Sequence, residues 1–98
     1  MAKLIYARKA FVDLERLTDF LLETEPVAAL ETAELISGAV QILENHPLIG
    51  RPAEHGMREL IISRGRTGYI ALYSYEEQHD TVLVLAIRHQ RAAGYAQE

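Results

Sequence analysis

All six basic residues in the second half of this 98-residue chain are arginines: Arg51, Arg58, Arg64, Arg66, Arg88 and Arg91. A guanidinium is planar and presents a rigid fork of donors, so the bias suits bidentate recognition of a carboxylate or a phosphate. It suits exposed ion pairs equally well, and those contribute little to stability. Two of the six flank a histidine in "IRHQR" (Ile87–Arg91). His89 carries an imidazole, the side chain most often used as a general base, but a strand-end histidine also serves as a hydrogen-bonding anchor. Arg58 sits at the head of a strand, where a structural ion pair and a target contact are both open. The target-binding candidates are therefore Arg51, Arg58, Arg88, His89 and Arg91, with His89 and Arg91 the first candidates for any catalysis. His46, His55, His79 and His89 lack ligand spacing such as i, i+4 on a helix, and with no cysteine in the chain neither a metal site nor a disulfide is expected. Neither a glycine-rich phosphate loop nor a Ser-His-Asp arrangement is visible, so no cofactor is implied.

These groups need elements to hold them. "KLIYA" (Lys3–Ala7) is rich in strand formers. From Ala10 to about Glu23, Phe11, Leu14, Leu17 and Leu21 recur at helical spacing. "ETEP" interrupts, because a residue before proline leaves the α region and Pro26 can open a second helix. That helix should run from Val27 to Glu44 with Ala33, Ile36, Val40 and Leu43 on its apolar face, and with Gly38 tolerated by a close approach of the first helix. Asn45-His46-Pro47 ends it, and "IGRP" turns the chain. The period then falls to two in "MRELIIS" (Met57–Ser63), "GYIALYSY" (Gly68–Tyr75) and "TVLVLAIRH" (Thr81–His89), separated by short polar connections. The expected fold is α+β in the order β-α-α-β-β-β, a helical hairpin packed on one face of a small, mostly antiparallel sheet. Tyr69, Tyr73 and Tyr75 share one strand face, where packing is the default. Val82–Ile87 is apolar at every position, so both of its faces should be covered, one by the helices and the other by the chain's own tail or a partner.

Composition bounds the rest. At 98 residues, with 49% apolar and 24% charged side chains, the chain is read as one domain spanning 1–98, with a tail after about 91 expected to be disordered. No run approaches the ~20 continuous apolar residues of a membrane span, and the start lacks a secretory signal, so a cytoplasmic protein with no membrane partner is expected. The net charge of −4 is uneven: residues 1–49 carry 4 basic and 8 acidic side chains, and residues 50–98 carry 6 of each.

The order Leu43, Pro47, Gly50-Arg51-Pro52, Gly56, Arg58-Glu59-Leu60, Tyr69, Tyr73 and Ile87–Arg91, after an opening "FVDLERLTDFL", resembles the RelE/ParE superfamily of toxins from type II toxin–antitoxin modules. The likeness covers about residues 3–91. It implies a growth-inhibiting protein, of the plasmid-stabilization type, neutralised by a cognate antitoxin, as a homo-oligomer or a toxin–antitoxin hetero-oligomer. The family contains two activities. Ribosome-dependent mRNA endoribonucleases resemble one another in a basic residue opening an "R-x-x-Y" step on the third strand, and in a late tyrosine or histidine for acid–base work, a role for which Tyr95 qualifies here. This chain reads Ile70-Ala71-Leu72-Tyr73, and an apolar residue cannot stabilise the charge that develops on a transferring phosphoryl group. "YIALY" is similar instead to ParE-type members, which inhibit DNA gyrase and are not nucleases. A chain of net charge −4 also lacks the overall positive bias by which a protein gains affinity for ribosomal RNA. The resemblance thus leans to a gyrase inhibitor, hence not an enzyme, with mRNA cleavage at the ribosome, or an inactive antitoxin-binding relative, as the alternatives.

Overall fold

The computed structural model describes residues 1–64, 67–92, 94 and 95. Strand β1 (Lys3–Tyr6) leads into helix α1 (Arg8–Thr24) and helix α2 (Pro26–Gln41), which a 3-10 turn (Ile42–Glu44) extends. Four strands follow: β2 (Arg51–Pro52), β3 (Arg58–Arg64), β4 (Thr67–Glu76) and β5 (Thr81–His89). They form one sheet in the order β1-β5-β4-β3-β2, antiparallel except for the parallel β1–β5 pair. The α+β expectation is met, with one strand more than the sequence suggested: β2 is two residues long, too short to carry a period, and pairs Arg51 with Glu59 and Pro52 with Arg58.

The break between the helices follows the local chemistry. Glu25 has left the helical region at φ −143° and Pro26 occupies the first turn of α2, where its missing N–H is no loss. Ile36, Val40 and Leu43 are fully buried against Tyr73, Val82, Val84 and Ile87 on the near sheet face. Two details differ from expectation. Phe11 is not in the core; it is 53% exposed and stacks on Tyr6, ring centroids 5.3 Å apart, while Ala10 and Asp13 turn inward in its place. Gly38 is exposed, with no atom of another element within 4 Å of where a Cβ would stand among the described residues, so close helix approach does not explain it. By length and composition Pro26–Glu44, 19 residues with mean hydropathy 1.2, could cross a membrane, but one side of it walls the core and Glu31, Glu34 and Glu44 interrupt it.

Strand β5 is central, and Val82, Val84, Ala86 and Ile87 are buried while Leu83 and Leu85 are half-buried. Its ladder with β4 slips once: Leu72 faces Ala86 and Tyr73 faces Val84, leaving Leu85 as the extra residue of a bulge. Strand β1 stops at the same level, with Tyr6 opposite Val84. Beyond that point the edge of β5 has no strand neighbour among the described residues.

Two glycines give a paired test. A Cβ on Gly50 would stand 2.6 Å from both Cε1 and Oη of Tyr73 and 2.8 Å from the Glu59 carbonyl. Gly50→Ala should therefore cost roughly 1–3 kcal/mol by overpacking. Gly38→Ala, in open helix surface, should instead raise stability by about 0.4–1 kcal/mol by narrowing the unfolded ensemble. Thermal melts of the two variants should move in opposite directions.

Candidate functional site

The loop after α2 is fixed from below. The buried Tyr73 hydroxyl accepts from the Gly50 amide at 2.9 Å and donates to the Pro47 carbonyl at 2.8 Å. Arg58, on the same sheet face, donates Nη1 to the carbonyls of Gly50 at 2.7 Å and Leu48 at 3.1 Å. Pro47 and Gly50 of the reversal are thereby tied to the sheet, and Arg58 is accounted for. Its guanidinium is a staple for backbone carbonyls, as a planar fork of donors allows.

On the opposite sheet face a second cluster gathers. Glu59 accepts from Arg51 Nε at 3.1 Å and from the Tyr95 hydroxyl at 2.7 Å. The Tyr95 ring lies 5.1 Å from the Arg88 guanidinium carbon, a cation–π contact. Arg88 Nη1 also donates to the Ala92 carbonyl at 2.9 Å, drawing the chain after β5 back across the sheet. Of the tail after about 91, Tyr95 is half-buried and tied to Glu59; residues 93 and 96–98 lie outside the described residues. The Tyr95 hydroxyl has its pKa pushed well above the ordinary tyrosine value, first by burial and then by the hydrogen bond to Glu59. Glu59 is held below the ordinary carboxylate range by that same bond from Tyr95, against the opposing effect of burial and with help from Arg51. The pair is a phenol donating to a carboxylate, with neither group poised to exchange a proton near neutrality.

His89 stands on the helix side, apart from that cluster, because neighbouring residues of a strand point to opposite faces. It is paired with Tyr69, its ring edge-on at 5.3 Å, and lines a cavity of about 450 Å³ between the hairpin and the end of the sheet, with Leu17, Phe20, Ala28 and Thr32. Its Nδ1 accepts the Arg91 amide at 3.0 Å, so the neutral ring carries its proton on Nε2. Arg91 itself is exposed, and its side chain makes no hydrogen bond or ion pair among the described residues.

The five target-binding candidates thus separate. Arg58 staples the loop, Arg51 pairs with Glu59, Arg88 holds the Ala92 carbonyl, His89 faces the hairpin and Arg91 has no side-chain partner among the described residues. Arg58 stands opposite Tyr73, and His89 opposite Tyr69, so four strand positions separate their levels in the sheet. Among the described residues no group of three or more histidines and carboxylates has metal-binding geometry. The roles of three residues escaped the sequence reading: Tyr73, Glu59 and Asp13. The buried Asp13 accepts the Ile87 amide at 2.9 Å, where β1 has ended, and pairs with Lys9 at 2.9 Å and Arg16 at 2.7 Å. Only the spacing of Lys9, Asp13 and Arg16 on α1 hinted at the last.

A helical hairpin packed on a mixed five-stranded sheet matches the fold of the RelE/ParE toxins. The model of the ParE toxin of the type II toxin–antitoxin system parDE matches residues 4–94, and the chain belongs to this family. It is 36% identical over 77 residues to Toxin RelE3 of Caulobacter vibrioides, covering 79% of this chain and 82% of that protein. Among solved structures it is similar to the chromosomal ParDE toxin–antitoxin system of P. aeruginosa, at 27% identity and a TM-score of 0.75, covering 91% of this chain and 96% of the other. It is also similar to the RelBE2 toxin–antitoxin complex of Mycobacterium tuberculosis, at 25% identity and a TM-score of 0.59, covering 91% and 98%.

Proposed function

We propose that this toxin arrests growth by occupying a protein target in the cytoplasm, in the manner of ParE-type inhibition of DNA gyrase, and is neutralised by a cognate antitoxin in a hetero-oligomeric complex. One observation carries the choice: the groups that phosphoryl-transfer chemistry would use do not converge. Cleavage of RNA needs cationic and acid–base groups within hydrogen-bond reach of a single phosphate. Here His89 and Arg88 lie on opposite faces of the sheet, Arg58 is spent on loop carbonyls, and the position between Tyr69 and Ala71 is the buried Ile70. The partner is inferred from the neighbours in structure, both toxin–antitoxin systems.

The mRNA-cleaving reading draws on the likeness to Toxin RelE3 and on the Arg88–Tyr95–Glu59 cluster. Against it, the phenol is bound to a carboxylate that already holds Arg51. The test uses the purified chain in two assays side by side. Supercoiling by DNA gyrase should be inhibited while cell-free translation proceeds, and the product of a neighbouring small reading frame should relieve the inhibition. Rapid loss of translation with site-specific mRNA cuts, at toxin concentrations that leave gyrase untouched, would overturn the choice.

A further inference from the structure

The end of β5 leads into Arg91, and the sheet's own ladder holds that end on one side. On the β4 side the pairing continues to the last residue: Tyr69 faces His89, and the Gln90 amide donates to the Gly68 carbonyl at 2.9 Å. On the other side β1 has stopped, and the Ala7 amide makes a last bond to the Val84 carbonyl at 2.8 Å. Next along β5 comes the bulge at Leu85, where the ladder with β4 is itself interrupted. A bulge bends a strand and increases its twist. The segment that carries Arg88, His89 and Arg91 is thus joined to the sheet through its most deformable point.

Asp13 takes over the edge that β1 leaves. Its Oδ2 accepts the Ile87 amide at 2.9 Å, just past the bulge, and the carboxylate is itself fixed on α1 by Lys9 Nζ at 2.9 Å and Arg16 Nη2 at 2.7 Å. At 1% exposure, water does not compete for that bond. From Ile87 the constraint runs on along the chain. His89 Nδ1 accepts the Arg91 amide at 3.0 Å, and the Ala92 amide closes the turn onto the His89 carbonyl at 3.0 Å. Arg91 is exposed and its side chain has no partner among the described residues, so the backbone alone aims its guanidinium. We propose that Asp13 is a positioning residue: from α1 it fixes the direction in which the toxin presents Arg91 to its target. The role presupposes that Arg91 meets a protein target, as proposed above, whichever protein that is.

The experiment compares the full chain with Asp13→Ala, with Asp13→Asn and with Ile36→Val, a truncation of a buried side chain on α2 that lowers stability without touching β5's edge bond. All are assayed below the onset of their circular dichroism melts, so a loss of folded fraction does not enter. Asp13→Ala should raise the concentration for half-inhibition of gyrase supercoiling at least about fivefold, because the anchor is no longer pre-organised. Asp13→Asn keeps an acceptor for Ile87 and should rescue most of that loss, and Ile36→Val should stay within about twofold of the wild type. Since Asp13 acts through Arg91, Asp13→Ala combined with Arg91→Ala should inhibit no worse than Arg91→Ala alone, whereas independent contributions would multiply. Should Asp13→Ala not fold, Asp13→Glu, which keeps the charge and displaces the acceptor by a methylene, takes its place. Backbone amide relaxation of the isotope-labelled chain needs no target: the Arg91 amide should gain mobility in Asp13→Ala and not in Ile36→Val. The role is overturned if Asp13→Ala inhibits like the wild type, if the losses multiply, or if the Arg91 amide is unmoved. A wild type that leaves supercoiling untouched sinks the gyrase reading alone. The relaxation data then still decide on Asp13, together with the same cycle scored as the inducer dose for half-maximal growth arrest, using Arg91→Lys so that arrest stays measurable.

Discussion

Asp13→Ala should lower the stability of this toxin by roughly 3 kcal/mol, the loss expected when a buried amide is orphaned and a buried charge-assisted pair is broken. For a domain under 100 residues that corresponds to a fall of about 12–24 °C in melting temperature. The cause is topological. Strand β1 ends opposite Val84, the bulge at Leu85 turns the Ile87 amide toward the vacated edge, and Asp13 reaches from α1 to accept it. The carboxylate therefore joins helix to central strand across 74 positions of sequence. Lys9 and Arg16 remain partly exposed and regain water when it is lost, which keeps the expected cost short of a full buried-pair penalty. Asp13→Asn should lose about half as much, since an amide oxygen can still accept from Ile87 while its NH₂ faces a cation.

The same residue sets an acid limb. Burial acts to raise the Asp13 pKa, but the Ile87 amide, Lys9 and Arg16 together hold it below the ordinary carboxylate value. A carboxyl whose folded pKa is depressed contributes stability that is fully present above the unfolded value of about 3.9, and that contribution is lost as pH falls through the folded value. Denaturant melts of the wild type should therefore lose stability progressively below about pH 4, and the Asp13→Asn and Asp13→Ala variants should show a shallower decline over the same window. An identical slope in wild type and Asp13→Ala would assign the acid limb to other carboxylates.

The contrast between Asp13 and its neighbours shows how far the sequence could be read. Leu14, Leu17 and Leu21 announce their face by spacing, and the change of period at Met57 announces the strands, because both signals are local. Asp13 falls on the apolar side of the same helix yet is polar, and the amide that explains it is far away in the chain. Phe11 matched the periodic stripe but lies where α1 has only just left β1, so its ring meets Tyr6 at the edge instead of the core. The two-residue β2 exists because Arg51 and Pro52 lie beside Arg58 and Glu59, a pairing that has no period to detect. The arginines were visible as a set, but their uses were not. Arg58 and Arg88 bind backbone carbonyls, acceptors that every residue has and that no composition reveals. Tyr95 was visible as an acid–base candidate in a polar tail and Glu59 as one residue of the Arg58-Glu59-Leu60 motif, but not their contact, which spans 36 positions.

That consumption of arginines isolates Arg91, on which the last expected result turns. With Arg51, Arg58 and Arg88 bound within the chain, Arg91 is the candidate whose guanidinium has no partner among the described residues and is offered to a target. Arg91→Ala should cost at least about 2 kcal/mol of target affinity, roughly thirtyfold and typical of an interface anchor, and should abolish growth arrest while leaving the melt and antitoxin binding unchanged. His89 touches that function at one remove: its Nδ1 holds the Arg91 amide, a bond the side-chain oxygen of glutamine can also accept. His89→Gln should therefore weaken arrest only several-fold. Colony counts after induction, set beside gyrase inhibition by each purified variant, separate the two mechanisms. If His89→Gln alone removed arrest by several orders of magnitude with folding intact, a proton would have to move through that imidazole, and the toxin would be an enzyme. If Arg91→Ala remained fully toxic, the free cation would not be the anchor, and the target would have to engage another surface of the toxin.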